Sequence, residues 1–399
     1  MKKTMLAVAI LMGGTTLAYL GARTLDRPGA ADAPPSVSMK DWAGGLEARG
    51  VKVSAGVWDL QSGKLVEGWH ETDPLTPAST TKALTTYALM KAWKPNYTVP
   101  TEIWGDLEQD TVKGDLVIKG GGDPLLVDEQ IWGIAESLKK LGVTKITGRI
   151  VADQSAFDGQ LYGNGWEDTT RNTWPTLAAL SVDFNRAAEG SPYTTDPTAF
   201  AESTITRILA GDGIAIEGKS ERGSAPKLLM THDSPPLREL VGDINKFSNN
   251  FMIETLVKRY GDGNSAKGVQ KVLGFYKTNF GFGPEQLQLT DACGLSKQNR
   301  IAARTLAIVM RAAWFDFQAG PEYVASLKVI GAEPFKLRKH KDGDLLSDRI
   351  RVKSGYLDGA RSLAGYLQMP DGRVRVFAII LNGESKDEDI WEQVARWSE

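Results

Sequence analysis

Ser79 and Lys82 lie three residues apart in Pro77-Ala78-Ser79-Thr80-Thr81-Lys82, ahead of the mostly apolar run 83–90. If Ser79 opens a helix, hydroxyl and amine face the same way about one turn apart, as a nucleophile and a candidate base. The helix N-terminus would add N–H groups and partial positive charge for an anionic reaction centre. The same spacing recurs at Ser137/Lys140 and Ser224/Lys227, and an N-cap serine beside a solvated lysine gives the same string, so it decides nothing alone. Two further pieces accompany it. Ser248 and Asn250 sit in a polar break between the apolar helical segments 237–244 and 251–260, where such side chains can turn into a cleft or cap a helix. Lys353-Ser354-Gly355 ends a strand, a place where a ligand backbone can pair along the edge or where a solvated strand end stops.

Other chemistries find little support. The histidines His70, His232 and His340 lie far apart, and Cys293 is the only cysteine, so neither a zinc site nor a Ser-His-Asp triad nor an intrachain disulfide framework is expected. No metal or cofactor is expected. Gly120-Gly121-Gly122-Asp123-Pro124 lacks the spacing of a phosphate or dinucleotide loop and reads as a tight turn. A net charge of −2 without long basic runs leaves no footprint for nucleic acid.

The elements that must position these residues come from both ends of the chain. With 399 residues, 42% hydrophobic and 24% charged, there is room for two or more domains. Lys2 and Lys3 precede a short apolar stretch, so residues 1–22 read as an export signal, cleaved or retained as a membrane anchor, and place the protein in the periplasm or on the extracytoplasmic face of the envelope. Residues 23–38 have linker composition. Residues 51–59 and 64–69 form a hairpin just before Ser79, and 349–353, 362–368 and 374–381 supply three more strands before a closing helix. Together they predict an α+β fold: a central antiparallel five-stranded sheet flanked by helices. A strand at 114–119, a helix from Asp128 and a strand at 145–151 follow β-α-β logic. Residues 101–226 therefore form an inserted α/β domain within a discontinuous domain of residues 39–100 and 227–399.

Ser-x-x-Lys, Ser-x-Asn and Lys-Ser-Gly, in that order, match the signature set of penicillin-binding proteins and class A β-lactamases, with Asn249 where the second motif has Asp. Over residues 39–381 the chain resembles the D-alanyl-D-alanine carboxypeptidase/endopeptidase family, the class C low-molecular-mass penicillin-binding proteins. Segments 120–125, 232–237, 291–296 and 360–366 carry the likeness beyond the three motifs.

The resemblance implies a serine β-lactamase/penicillin-binding transpeptidase-like fold and a serine-type D-Ala-D-Ala carboxypeptidase or endopeptidase working on peptidoglycan stem peptides, with β-lactams as covalent inhibitors. It implies Ser79 as nucleophile, Lys82 as base, Ser248 as proton relay and Asn250 as a hold on Lys82 and the substrate amide. Lys353, Ser354 and Gly355 would bind the substrate end, with the N–H groups of Ser79 and Tyr356 around the oxyanion. Asp153 and Phe157 would meet the stem-peptide side chain. Departures from the family pattern are Ser354 for Thr, Tyr356 for a small hydroxyl residue, and Cys293 for a small residue. A β-lactamase-like hydrolase and a catalytically silent peptidoglycan-binding or penicillin-sensing module are the alternatives; the Glu-x-x-Leu-Asn string of class A enzymes is absent.

Overall fold

Ser38 accepts the N–H of Asp41 and so caps the first helix, α1 (Met39–Glu47). The computed structural model describes residues 38–166, 174–219, 226–332 and 346–399. The signal or anchor segment, the linker up to residue 37, Ser224 and His340 lie outside them. Among the described residues no helix is long and apolar enough to cross a membrane.

The predicted hairpin is β1 (Lys52–Asp59) and β2 (Leu65–Trp69), and a tight turn at Ala78–Thr80 leads into α2 (Thr81–Trp93). Then come β3 (Pro100–Glu108), β4 (Thr111–Lys119), α3 (Asp128–Lys140), β5 (Lys145–Ile146), β6 (Ile150–Asp153), α4 (Pro197–Gly211), β7 (Ala215–Ile216) and β8 (Lys227–Asp233). The chain continues through α5 (Leu237–Phe247), α6 (Asn250–Tyr260), α7 (Ser265–Phe280), β9 (Leu287–Gln288), β10 (Arg300–Ile301), α8 (Ala303–Phe315), α9 (Gly320–Ser326) and β11 (Lys328–Val329). It closes with β12 (Ile350–Leu357), β13 (Ala360–Gln368), β14 (Val374–Asn382) and α10 (Asp387–Trp397).

The ends of the chain meet in one antiparallel sheet ordered β11-β12-β13-β14-β1-β2. It has six strands where the sequence predicts five. The extra one, β11, is two residues paired with Arg351 and Val352, too short to show an alternation. Helices cover both faces. Val376, Ala378 and Ile380 enter a core shared with α2 and α5 to α9, whereas Phe377, Ile379 and Leu381 enter a second core with α1 and α10. Successive strand residues point to opposite faces, so two buried faces turn β14 into a continuous apolar run.

Helix α2 is buried on every side from Thr81 to Met90, which its run of Ala, Thr and Leu permits. Its polar atoms stay paired: Thr85 donates to Ala292 O and Thr86 to Lys82 O, while the Tyr276 and Tyr323 hydroxyls donate to Leu84 O and Ala83 O. Nothing is left to slide. A buried hydroxyl without such a partner costs about 1–3 kcal/mol.

A second sheet, ordered β7-β5-β4-β3-β8 with β6 beside β4, lies between α2 and α5 in the chain. The parallel β4–β5 and β4–β6 pairs, joined through α3, reproduce the β-α-β expectation. Strands β3 and β8 pair antiparallel at Pro100–Asp233 and Thr101–His232, so the chain enters and leaves this sheet side by side.

Candidate active site

From Thr76 to Met90 every residue is buried except Ser79. The turn that carries it, Ala78–Thr80, is a 3-10 turn and not the first turn of α2, and Ala78 takes a left-handed conformation, φ 49°. Non-glycine residues adopt this at a cost, so the turn needs clamping. Thr80 and Ser362 both donate to Pro77 O, at 2.7 and 2.5 Å. Gly294 and Gly355 close in from two sides. A Cβ on Gly294 would lie 2.0 Å from Ala78 O, and one on Gly355 would lie 2.8 Å from Ser79 N.

Lys82 is fully buried. Its Nζ lies 3.0 Å from Ser79 Oγ and 2.6 Å from each of Asn250 Oδ1 and Cys293 O. Three acceptors satisfy an ammonium. A neutral amine keeps two N–H donors, and the two carbonyl oxygens take both, which leaves the lone pair facing the Ser79 hydroxyl. Burial pushes the pKa of Lys82 down, against the opposing pull of Cys293, Asp291 and Glu254 behind it.

The break between α5 and α6 divides its work by residue. Ser248 turns the chain in a left-handed conformation, φ 58°, and Asn249 caps α6 by accepting Met252 N–H. The cap thus falls to Asn249, leaving Ser248 Oγ to accept from Lys353 Nζ at 3.0 Å and Asn250 to face Lys82. The N-termini of α2 and α6 both point into this space, adding partial positive charge.

Lys353 is buried on β12 and also donates to Ser354 O at 2.7 Å. Burial, then the charges of Lys82 and Lys328, push its pKa well down, so the two active-site amines oppose each other's protonation. Strand β11 covers β12 only at Arg351 and Val352; from Lys353 onward that edge has no strand partner among the described residues. Ser354 is half-buried there. Tyr356 is 65% exposed, and the Arg361 guanidinium sits 4.7 Å from its ring centre.

Sequence reasoning singled out segment 291–296 but gave it no task. Asp291 accepts from Gly294 N, Ser296 N and Asn299 Nδ2, at 2.9, 2.7 and 2.6 Å. Glu254 Oε1 accepts from Ala292 N and Cys293 N, both at 2.8 Å. Glu254 was missed. Its signal was an acid one turn after Asn250 in an otherwise apolar stretch. Burial pushes the Cys293 thiol well up, consistent with packing over reactivity. Ligand atoms of Glu254, Asp291 and Cys293 gather within 4.8 Å, but N–H donors occupy all their carboxyl oxygens except Glu254 Oε2. The donor set is that of a hydrogen-bonding hub.

Asp153 and Phe157 do not join this group. Strand β6 ends at Asp153, whose carboxylate accepts Ser155 N–H at 2.8 Å in its own turn. Asp158 N then bonds Gly263 O, docking the loop on the far end of α6. Phe157 there faces Gly122 and Lys258, whose Nζ lies 5.1 Å from its ring centre. Asn250 and Lys258 are eight residues apart along α6, roughly 12 Å. Phe157 and Asp153 thus lie away from the Ser79–Lys82 group, on the loop docked at the far end of α6.

A family model described as the D-Ala-D-Ala carboxypeptidase 3 (S13) family matches residues 47–190 and 191–399. A D-alanyl-D-alanine carboxypeptidase of Actinomadura sp. (strain R39) is 24% identical over an alignment spanning 82% of this chain and 77% of that protein. The crystal structure of penicillin binding protein 4 from Haemophilus influenzae shares the fold, with a TM-score of 0.74 at 20% identity over 90% of this chain and 97% of that one. Its complex with a novel β-lactam gives 0.69 at 21% over the same shares. Because the family model takes in nearly the whole chain, the protein belongs to the D-Ala-D-Ala carboxypeptidase 3 (S13) family and is a serine-type D-Ala-D-Ala carboxypeptidase.

Proposed function

We propose that this carboxypeptidase works through a covalent acyl-enzyme on Ser79, cleaving peptidoglycan stem peptides that end in D-Ala-D-Ala outside the cytoplasmic membrane, and that β-lactams acylate the same oxygen. Ser79 Oγ bonds to the carbonyl carbon of the penultimate D-alanine while its proton passes to the neutral Lys82 Nζ. The N–H groups of Ser79 and Tyr356 hold the oxyanion; one such donor is worth about 2.7–4 kcal/mol where measured. The C–N bond then breaks, with the proton returning from Lys82 through Ser248 to the leaving nitrogen. Water attacks the ester in the second half, releasing the peptide and restoring Ser79. Lys353 and Ser354 bind the terminal carboxylate, the free β12 edge pairs with the substrate backbone, and Asn250 holds the substrate amide alongside Lys82.

In a β-lactam the leaving nitrogen stays tethered to the acyl group, so it remains in the cleft where water must enter. The Haemophilus influenzae complex with a β-lactam supports this part of the reading. Whether a free D-alanine or a cross-linked chain leaves depends on what lies beyond the scissile bond, so the same chemistry serves a carboxypeptidase, an endopeptidase or both.

The observation that carries the proposal is the pair of carbonyl oxygens, on Asn250 and Cys293, that fix Lys82 Nζ against Ser79 Oγ. The test incubates purified protein and Ser79→Ala with labelled penicillin and with a D-Ala-D-Ala peptide. The wild type is expected to take up label and release D-alanine, with the variant down by about 10⁴-fold or more. Label uptake that survives Ser79→Ala overturns it.

A further inference from the structure

Glu254 touches neither Ser79 nor Lys82, yet it is fully buried on the same face of α6 as Asn250, one turn on. Asn250 fixes Lys82 directly. Glu254 does so at one remove: Oε1 receives the N–H groups of Ala292 and Cys293, and the Cys293 carbonyl receives Lys82. Its second oxygen, Oε2, is buried with no hydrogen-bond partner. A bare buried carboxylate oxygen beside the Asp291 carboxylate is costly when ionised and much less so when it carries a proton.

We infer that Glu254 is a positioning residue with two separable tasks: Oε1 sets the Cys293 carbonyl that orients Lys82, and a proton held on Oε2 keeps negative charge away from the base. This rests on Lys82 serving as the base. The groups that face Glu254 are Asp291 and Cys293 from segment 291–296 and Lys82 from α2, with Lys353 of β12 beyond Lys82. On its own helix the next charge is Lys258, which pairs with Asp158. Burial, followed by the Asp291 charge, pushes Glu254 up to about 7. Once ionised, Glu254 favours the ammonium form of Lys82, which cannot accept the serine proton. The pair therefore delays formation of free base as pH rises.

The test is the rate of acylation by labelled penicillin between pH 5 and 10 for wild type, Glu254→Gln and Glu254→Ala, with Ser79→Ala as blank. Glu254→Gln keeps an acceptor at Oε1 and cannot ionise. It is expected to stay within about threefold of wild type on the plateau, with the part of its acidic limb above pH 7 moved to lower pH by about half a unit or more, so that it outruns wild type near pH 8 and matches it at pH 6, where Glu254 still carries its proton. Glu254→Ala strands two N–H groups and is expected to fall about tenfold or more at every pH. A Glu254→Gln limb that coincides with wild type above pH 7, or moves upward, overturns the inference. Failure of wild type to label at any pH overturns instead the Ser79–Lys82 chemistry beneath it.

A second readout leaves position 254 intact. Asp123→Asn removes the other described carboxyl that is both pushed up and left with a bare buried oxygen. In that background, infrared difference spectra between pH 6 and pH 9 are expected to lose the carbonyl band of a protonated carboxyl, lowered in frequency because its C=O oxygen, Oε1, accepts two N–H groups. Absence of that band at pH 6 overturns the assignment of the proton.

Discussion

Gly355 lies against Ser79 so closely that a single added Cβ would stand 2.8 Å from the serine nitrogen, and 2.3 Å from Ser362 Oγ. The strand that binds substrate and the turn that attacks it are held in register by the absence of one methyl group. Gly355→Ala is expected to push β12 off the turn, cutting acylation by about 10²-fold, since a misplacement of about 1 Å costs that much. The overpacking should cost about 1–3 kcal/mol of stability. Labelling rates and a denaturant titration measure the two effects, and near-normal acylation would refute the register.

Asn250→Asp tests the charge balance at the base. It would place a carboxylate at the position 2.6 Å from Lys82 Nζ now held by a neutral amide. An opposite charge at that distance favours the ammonium, so the acidic limb of the acylation profile is expected to move to higher pH by about 1 unit or more. Asn250→Ala, which adds no charge, lowers the plateau without that displacement. The pH–rate profiles of the two variants separate these outcomes.

Lys353 should matter most where the substrate presents a carboxylate. Removing its amine strips Ser248 of a donor and the site of its cation. For Lys353→Ala, kcat/KM on a D-Ala-D-Ala peptide is expected to fall by about 2–5 kcal/mol, the range for truncating a buried, hydrogen-bonded charge. Amidating the peptide's terminal carboxylate should harm the wild type heavily and the variant little. Equal losses in both would refute carboxylate binding by Lys353.

Lys258 predicts an asymmetry in stability. Its ammonium is fully buried, donates to Gln160 O and pairs at 2.9 Å with Asp158, whose side chain is 29% exposed. Asp158→Asn strands a buried cation and is expected to cost about 3 kcal/mol. Lys258→Met leaves only a half-solvated carboxylate and should cost less. Burial alone would raise the Asp158 carboxyl, but Lys258 and the Gln160 N–H hold it below its usual range. Its stabilisation is therefore present above the ordinary carboxylate pKa and lost as pH falls through the folded value. Urea titrations at pH 7 and pH 3 check both statements.

The reacting side chains were legible in the sequence: Ser79, Lys82, Ser248, Asn250 and Lys353 stand out through three short motifs in a fixed order, each of them indecisive alone. The structure gathers them into two hydrogen-bonded groups, Ser79–Lys82–Asn250 and Ser248–Lys353, whose two amines oppose each other's charge. What fixes them was not legible. The Cys293 carbonyl is backbone and carries no residue signature, Glu254 reaches its partners 38 and 39 positions away, and Ser362 clamps Pro77 across 285. Strand β8 escaped because its one partner among the described residues, β3, lies more than 120 positions earlier in the chain.

One consequence concerns selectivity between nucleophiles. By type, sulfur attacks an electrophile more readily than a serine hydroxyl, and the chain's sole thiol, Cys293, sits one carbonyl away from the base. That thiol is sealed from solvent and held protonated, with its S–H directed at Asp291 Oδ2. A reagent entering the cleft therefore meets the oxygen of Ser79 and never the more reactive atom behind it. Access, not intrinsic reactivity, decides which residue is acylated, and the same seal withholds the thiol from oxidants and from disulfide exchange with other chains.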